Sequence, residues 1–232
     1  MTAQSEAAPV RREPLSRPRV LEAAVNLADR EGIDALSMRR LGQELGVEAM
    51  SLYNHVAGKE DLLDGIVDVI MGEIEPAAEI GPWKQVTRAR ILAARRTMLR
   101  HPWASAVIVS RTQPSAVMMR YMDSMAGILR RGGFSVDLLH HGFHALGSRV
   151  LGFSQELYDD SPGVAAGDEM QALVVKQMAA EYPYITQIVQ QVVHDEASVV
   201  GTGCDDQWEF EFALDLLLDG LERLKYASPD LG

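Results

Sequence analysis

Apolar side chains recur every three or four positions along almost all of the chain after Pro14, the spacing that gives a helix one buried face. Val20, Ala23, Ala24, Leu27 and Ala28 form the first such stripe, with Ser16 placed to cap it, Pro18 in its first turn and Gly32 to end it. Ser37 can cap a second, short helix over Met38 to Leu45, with Leu41 and Leu45 inward and Gly46 supplying a left-handed stop. A third helix follows Val47, carries Ser51, Leu52, Tyr53 and His55, and ends before Gly58; a fourth runs from Lys59 or Glu60 past Leu62, Leu63, Ile66 and Ile70. Further helices are predicted over 83–100, 115–131, 135–158, 168–181, 183–196 and 206–225. The loops between them, over 111–114, 131–134, 159–167 and 197–205, are marked by Gly, Pro or small polar residues. No sustained period-two run of β-branched residues suggests a sheet, so the fold class is all-α.

Composition narrows this to a protein with a core of useful size: 47% of the 232 residues are hydrophobic. The single cysteine, Cys204, excludes an internal disulfide and a cysteine-based zinc cluster, and suits a reducing compartment. The longest uncharged run, Tyr182 to His194, falls well short of the roughly 18 apolar residues of a spanning helix. A cytoplasmic protein without membrane contact is therefore expected. Residues 1–15, with Glu6, Pro9, Glu13, Pro14 and no apolar segment, read as a disordered tail and not as a signal peptide.

The net charge of -11 argues at first against a nucleic-acid partner, but its distribution reverses that. Residues 1–59 are neutral in sum, 60–83 carry -7, 84–131 carry +9 and 132–232 carry -13. The acidity thus lies outside the first quarter. Within that quarter, the two short helices joined by a tight turn at Gly46 to Glu48 form a helix-turn-helix, which lets the second helix enter a DNA major groove. The outward residues of that helix are Ala49, Met50, Ser51, Tyr53, Asn54 and His55, short, polar or aromatic and free of carboxylates.

The run Leu52-Tyr53-x-His55-Val56-x-x-Lys59-x-x-Leu62-Leu63, preceded by Leu41-x-x-x-Leu45-Gly46-Val47, closely resembles the DNA-binding domain of the TetR family of bacterial transcriptional repressors. The resemblance covers about residues 16 to 70. It implies that Arg39 reads a guanine, that Ser51, Tyr53, His55 and Lys59 contact phosphates, and that Met50 and Asn54 face the groove, with Met50 placed to touch a thymine methyl. Ala49 stands where a tetracycline repressor has a glutamine for adenine, so the operator must differ. Arg40 suits a solvated or phosphate-facing charge. Structural alternatives stay open: Tyr53 packing on Leu27 or Leu63, and His55 capping its helix.

Beyond residue 80, Trp83, the loop Arg111-Thr-Gln-Pro114, Gly133-Phe134-Ser135 and Leu151-Gly152-x-x-x-Glu156 are similar to landmarks of the tetracycline-repressor branch. Val109 and Ser148 fall where that branch has its two metal-binding histidines, which argues against a magnesium–tetracycline effector; no metal and no cofactor are expected. An effector cavity is placed among Arg90, Met118, Met122, Met125, His140, Phe143, His144 and Glu156, the alternative being that the methionines are ordinary core and the histidines satisfied there. The arginines of 84–131 either form a second anionic-ligand surface or pair with the acidic segments around them.

In the last helix Phe210, Leu214, Leu217, Leu221 and Leu224 repeat at four-three-four-three while Trp208, Phe212, Leu216 and Leu218 cover other faces. Such a helix needs two partners, its own subunit and a second copy, the alternative being a buried central helix in a monomer. The expected dimer interface is Phe210, Leu214, Leu217 and Leu221 with Leu139, Phe143, Leu146, Val150 and Phe153, in a four-helix bundle. The domain organisation is then a tail over 1–15, a helix-turn-helix domain over 16–62 and an effector-binding and dimerisation domain over 63–228. The function expected is that of a ligand-responsive repressor, binding a palindromic operator as a homodimer and released by a small-molecule effector. The competing classes are a small-molecule-binding all-α enzyme, for which no nucleophile motif, phosphate loop or complete ligand set is present, and an interaction module that does not read DNA.

Overall fold

The computed structural model describes residues 14–75, 80–152, 179–184, 186–187 and 206–227. Among these the elements are α1 (Arg17–Glu31), a 3-10 turn (Ile33–Ala35), α2 (Met38–Leu45), α3 (Ala49–Leu52), α4 (Lys59–Gly72), α5 (Trp83–Arg100), α6 (Ala104–Ser110), α7 (Ala116–Arg131), α8 (Val136–Gly152) and α9 (Asp206–Ala227). No strand occurs among the described residues. The expected tail, the end of the helix begun at Ser135, the elements around 168–178 and 188–196, Phe153 and Glu156 lie outside them. No helix of the described residues is long and apolar enough to cross a membrane.

Two compact units divide the chain, one from Met1–Pro76 with Ala93–Ser124, the other from Ala77–Leu92 with Met125–Gly232. In the first, α1 buries Val20, Leu21, Ala24, Val25, Leu27 and Ala28 against α2 and α4, with Leu36, Leu41, Leu52, Val56, Leu62, Leu63 and Ile66 closing the core. Ser16 and Ser37 cap α1 and α2, accepting hydrogen bonds from the backbone N–H groups of Arg19 and Arg40 at 3.5 and 3.2 Å. Each satisfies a donor that a helix start leaves open. Gly46 ends α2 at φ 67°, a conformation that costs other residues about 1–2 kcal/mol.

Two features differ from the pattern expected along the chain. The helix after Val47 is α-helical only over Ala49–Leu52; Tyr53, Asn54 and His55 continue as a turn, with the His55 N–H donating to Leu52 O at 2.9 Å. The segment after Pro102 forms α6, whose Ala104 and Val107 are buried.

In the second unit the core is Val86, Ile91, Ile128, Leu129, Phe134, Leu146, Phe210, Leu214, Leu218 and Leu221. Trp83 meets Phe134 edge-on at 4.6 Å, and α8 packs on α9, Gly142 facing Leu221. An acidic stripe on α9 answers the basic start of α5. Lys84 pairs with Asp219 and Glu222, and Arg88 with Glu211 and Asp215, the latter two contacts at 2.7 Å. In the first unit Arg96 pairs with Glu75 and Arg100 with Glu73. Much of the +9 segment is therefore engaged within the subunit and is no free anion-binding face.

Candidate nucleic-acid interface

The α2–turn–α3 unit is held by backbone. Val47 N–H donates to Gly42 O at 2.9 Å, and Gly42 lies so close to the next helix that a Cβ there would stand 2.9 Å from Val47 O and 3.2 Å from Ala49 N. With Leu41 and Leu52 fully buried beneath, the outer side of α3 is fixed in direction. Met50 is 74% and Tyr53 46% exposed, Asn54 is exposed, and Ala49, Ser51 and His55 are half-buried at its margins. Arg39 at the start of α2 and Lys59 at the start of α4 are also exposed. Tyr53 thus places part of its side chain in solvent while the rest is covered.

Arg40 corrects one expectation. Its guanidinium donates to Glu31 of α1, with Nε 3.2 Å from Oε2, and lies 3.6 Å from Glu44 one turn on in α2. Those two carboxylates hold it as a brace between α1 and α2 and satisfy the charge that was expected to face phosphate.

A second brace was not anticipated from the sequence. Arg17, the first residue of α1, forms a fork on Asp61 of α4, Nη1 to Oδ2 and Nη2 to Oδ1, both at 2.8 Å, and Nη1 also donates to His55 O at 3.0 Å. Asp61 Oδ2 accepts in turn from Ala57 N–H at 2.7 Å. The end of the reader turn, the start of α4 and the start of α1 are thereby tied together. Hydrogen bonds from Arg17 first and from Ala57 second outweigh burial and hold the Asp61 carboxyl down to about 2.

The effector residues belong to both units. Met118 and Met122 belong to the first unit, and Arg90, Met125, His140, Phe143 and His144 to the second. Met125, 3% exposed, and Arg90 are both buried. His140 and His144 are exposed with rings 4.7 Å apart, so the satisfied-core alternative for them does not hold. No group of three or more potential metal ligands is brought together among the described residues.

The dimer residues also divide. Phe210, Leu214, Leu221 and Leu146 are buried within their own subunit and are unavailable to a second one. Of the four-three repeat, Phe210, Leu214 and Leu221 are covered within the subunit, Leu221 against Gly142 of α8, while Leu224 is exposed. Leu139, Val150 and Leu217 are half-buried. The large hydrophobic side chains that α9 leaves exposed are Phe212, Leu216, Leu224 and Tyr226, with Trp208 stacked on Phe212 at 5.1 Å.

Comparisons with known proteins agree with this architecture. A family model described as "Bacterial regulatory proteins, tetR family" matches residues 20–66, and one described as "Tetracyclin repressor-like, C-terminal domain" matches residues 75–224. An HTH-type transcriptional repressor of Streptomyces coeruleorubidus, DrrR1, is 31% identical over 90% of this chain and 78% of its own length. An HTH-type transcriptional regulator of Saccharopolyspora erythraea is 36% identical over 60% of this chain; the match spans 59% of that regulator. Apo ActR from Streptomyces coelicolor shares the fold with a TM-score of 0.73 at 28% identity, over 94% of this chain and 99% of ActR. ActR has also been solved in complex with actinorhodin, and there it matches with a TM-score of 0.70. The class is that of helix-turn-helix transcriptional regulators. The chain belongs to the TetR family, and the relatives it matches are named as regulators of transcription.

Proposed function

We propose that the protein is a cytoplasmic, ligand-responsive transcriptional repressor that binds a palindromic DNA operator as a homodimer and is released by a small-molecule effector. The observation that carries this reading is α3 and the turn after it, where Met50, Tyr53 and Asn54 are exposed on a backbone-locked unit, with Arg39 at the start of α2 and Lys59 at the start of α4 exposed as well. Relatives named as repressors and the ActR complex with actinorhodin support the repressor and ligand-binding parts. Pairing would use Phe212, Leu216 and Leu224 of α9 with the half-buried Leu139, Val150 and Leu217, setting two readers about 34–36 Å apart on successive major grooves. An effector drives release only by binding better to a spacing that no longer fits both grooves.

A duplex selected from a random library by the wild-type protein tests this without knowledge of the operator. A palindrome bound by two copies, with affinity falling steeply as salt rises, is the expected result. Tyr53→Ala and Lys59→Ala are expected to weaken binding on every sequence, Lys59→Ala also lowering the salt slope by about 1. Arg39→Ala is expected to cost about fivefold in affinity and to relax the choice at one base pair. Selection that returns no preferred sequence would favour the interaction-module class instead.

A further inference from the structure

His101 follows α5 directly and lies among three other elements of the first unit. Its Nδ1 is 2.8 Å from Asp29 Oδ1 near the end of α1, and its Nε2 is 3.0 Å from Oε2 of Glu73, which closes α4. The ring is 7% exposed. Trp103, at the start of α6, donates its Nε1–H to the same Asp29 oxygen at 2.6 Å, and Arg100 donates to the same Glu73 oxygen at 3.2 Å. The charged groups meeting the imidazole are thus Asp29 from α1, Glu73 from α4 and Arg100 from α5, with the Trp103 indole edge-on at 6.0 Å.

A neutral imidazole has one N–H; the protonated ring has two. An ionised carboxylate only accepts. A neutral His101 between two carboxylates would aim a lone pair at an oxygen at hydrogen-bond distance in a nearly closed site, an arrangement that costs free energy. Burial pushes the Glu73 carboxyl up, but hydrogen bonds from His101 and Arg100 outweigh it and hold it below the usual glutamate value. The ionised form of Glu73 is therefore the one the fold favours, which leaves the ring between two acceptors.

The placement gives this contact a role. Arg17 and Asp61 join α1 to α4 beside the reader; Asp29, His101 and Glu73 join the same two helices at their other ends. Pinned at both ends, α4 has one orientation against α1, and the turn that presents Tyr53 and His55 follows it.

We propose that His101 is a positioning residue for DNA binding: its doubly protonated ring clamps Asp29 of α1 to Glu73 of α4, and the grip on DNA loosens when that second proton is lost. The inference rests on the DNA-binding reading above. The clamp is complete where both carboxylates are ionised and the ring is charged. Rising pH removes the second ring proton; strongly falling pH protonates Glu73.

Affinity for the selected duplex is measured from about pH 6 to about pH 8 for wild type, Glu73→Gln and His101→Gln. A glutamine amide at 73 can donate to an unprotonated Nε2, so Glu73→Gln keeps the bridge without the second proton. Wild type is expected to lose about tenfold more affinity across the range than Glu73→Gln, the scale of one hydrogen bond to a charged group. His101→Gln is expected to bind weakly throughout with no such extra loss. Wild type and Glu73→Gln share every histidine, so that pair carries the test even if His101→Gln fails to fold. Ring 15N shifts of His101 should report two protonated nitrogens at the lower pH. Parallel pH profiles for wild type and Glu73→Gln, or a ring with a single proton throughout, overturn the proposal. Should selection return no duplex, the DNA-binding reading fails first, and the clamp is judged on thermal unfolding: the wild-type Tm must fall more than that of Glu73→Gln as pH rises, and equal falls overturn it.

Discussion

Gly42→Ala is expected to lower affinity for the selected duplex by about a hundredfold and to destabilise the fold by about 1–3 kcal/mol. In an open helix the same change would stabilise by about 1 kcal/mol, because alanine restricts the unfolded chain and glycine does not. The close approach decides the sign. The new Cβ would meet Val47 O at 2.9 Å and the Ala49 backbone at 3.2 Å, and backbone atoms cannot swing aside as a flexible side chain does. The turn must open, which strains the Val47 N–H to Gly42 O hydrogen bond and moves α3 against α2. Base-edge contacts are worth about 1–3 kcal/mol each, so misdirecting Met50 and Asn54 together gives the expected hundredfold. Gly46→Ala is the control: its left-handed φ of 67° makes alanine costly, yet no atom lies within 4 Å of the added Cβ. It should lower the Tm while leaving most of the affinity of the folded protein. Calorimetry and fluorescence anisotropy separate the two, and a Gly42→Ala protein that binds like wild type would show that the turn does not aim the reader.

The parts of this molecule legible in its sequence are those governed by neighbours along the chain. Ser37, Gly46 and the Leu41/Leu52 anchors lie within sixteen residues of one another, and caps, stops and stripes act over that range. The short α3 was overextended to His55 because the turn that replaces its last residues is held partly by Arg17, 38 positions away, through the His55 carbonyl. The segment forming α6 carries no start signal, since Trp103 at its N-cap makes no side-chain cap bond, and His101-Pro102 reads only as a break. The four-three repeat of α9 identified an apolar stripe but did not divide it: Phe210, Leu214 and Leu221 are buried in the subunit, while Leu217 is half-buried and Leu224 exposed. A stripe states how much surface a helix must bury, and only coordinates distinguish its own subunit from a second copy; Phe210 and Leu214, each 0% exposed, settle that for one face. Arg40 had a readable clue in Glu44 four residues on, while its stronger partner Glu31 sits on another helix.

The Arg17–Asp61 brace permits a test in which two physical accounts give opposite signs. Asp61 is held down to about 2 in the folded chain against 3.8 ordinarily, so its contribution to stability is fully present above about pH 4 and is lost as pH falls through about 2. Both partners are a third or more exposed, at 42% and 34%, and solvent screening reduces that contribution to about 1 kcal/mol. Asp61→Asn removes a negative charge close to the residues expected to meet phosphate. If the local field alone governed affinity, that variant would bind DNA more tightly at low salt. The geometry predicts the reverse: a neutral amide cannot accept the guanidinium fork on both atoms, Arg17 loses its anchor, and the His55 carbonyl and Ala57 N–H lose theirs. Affinity is expected to fall about tenfold, with the acid-side loss of stability between about pH 4 and pH 2 reduced by a comparable step. Arg17→Lys should behave alike, because an ammonium cannot span both carboxylate oxygens and the carbonyl in one plane. Tighter binding by Asp61→Asn would leave the brace a passive surface pair, and the orientation of α3 would then rest on the Gly42 turn alone.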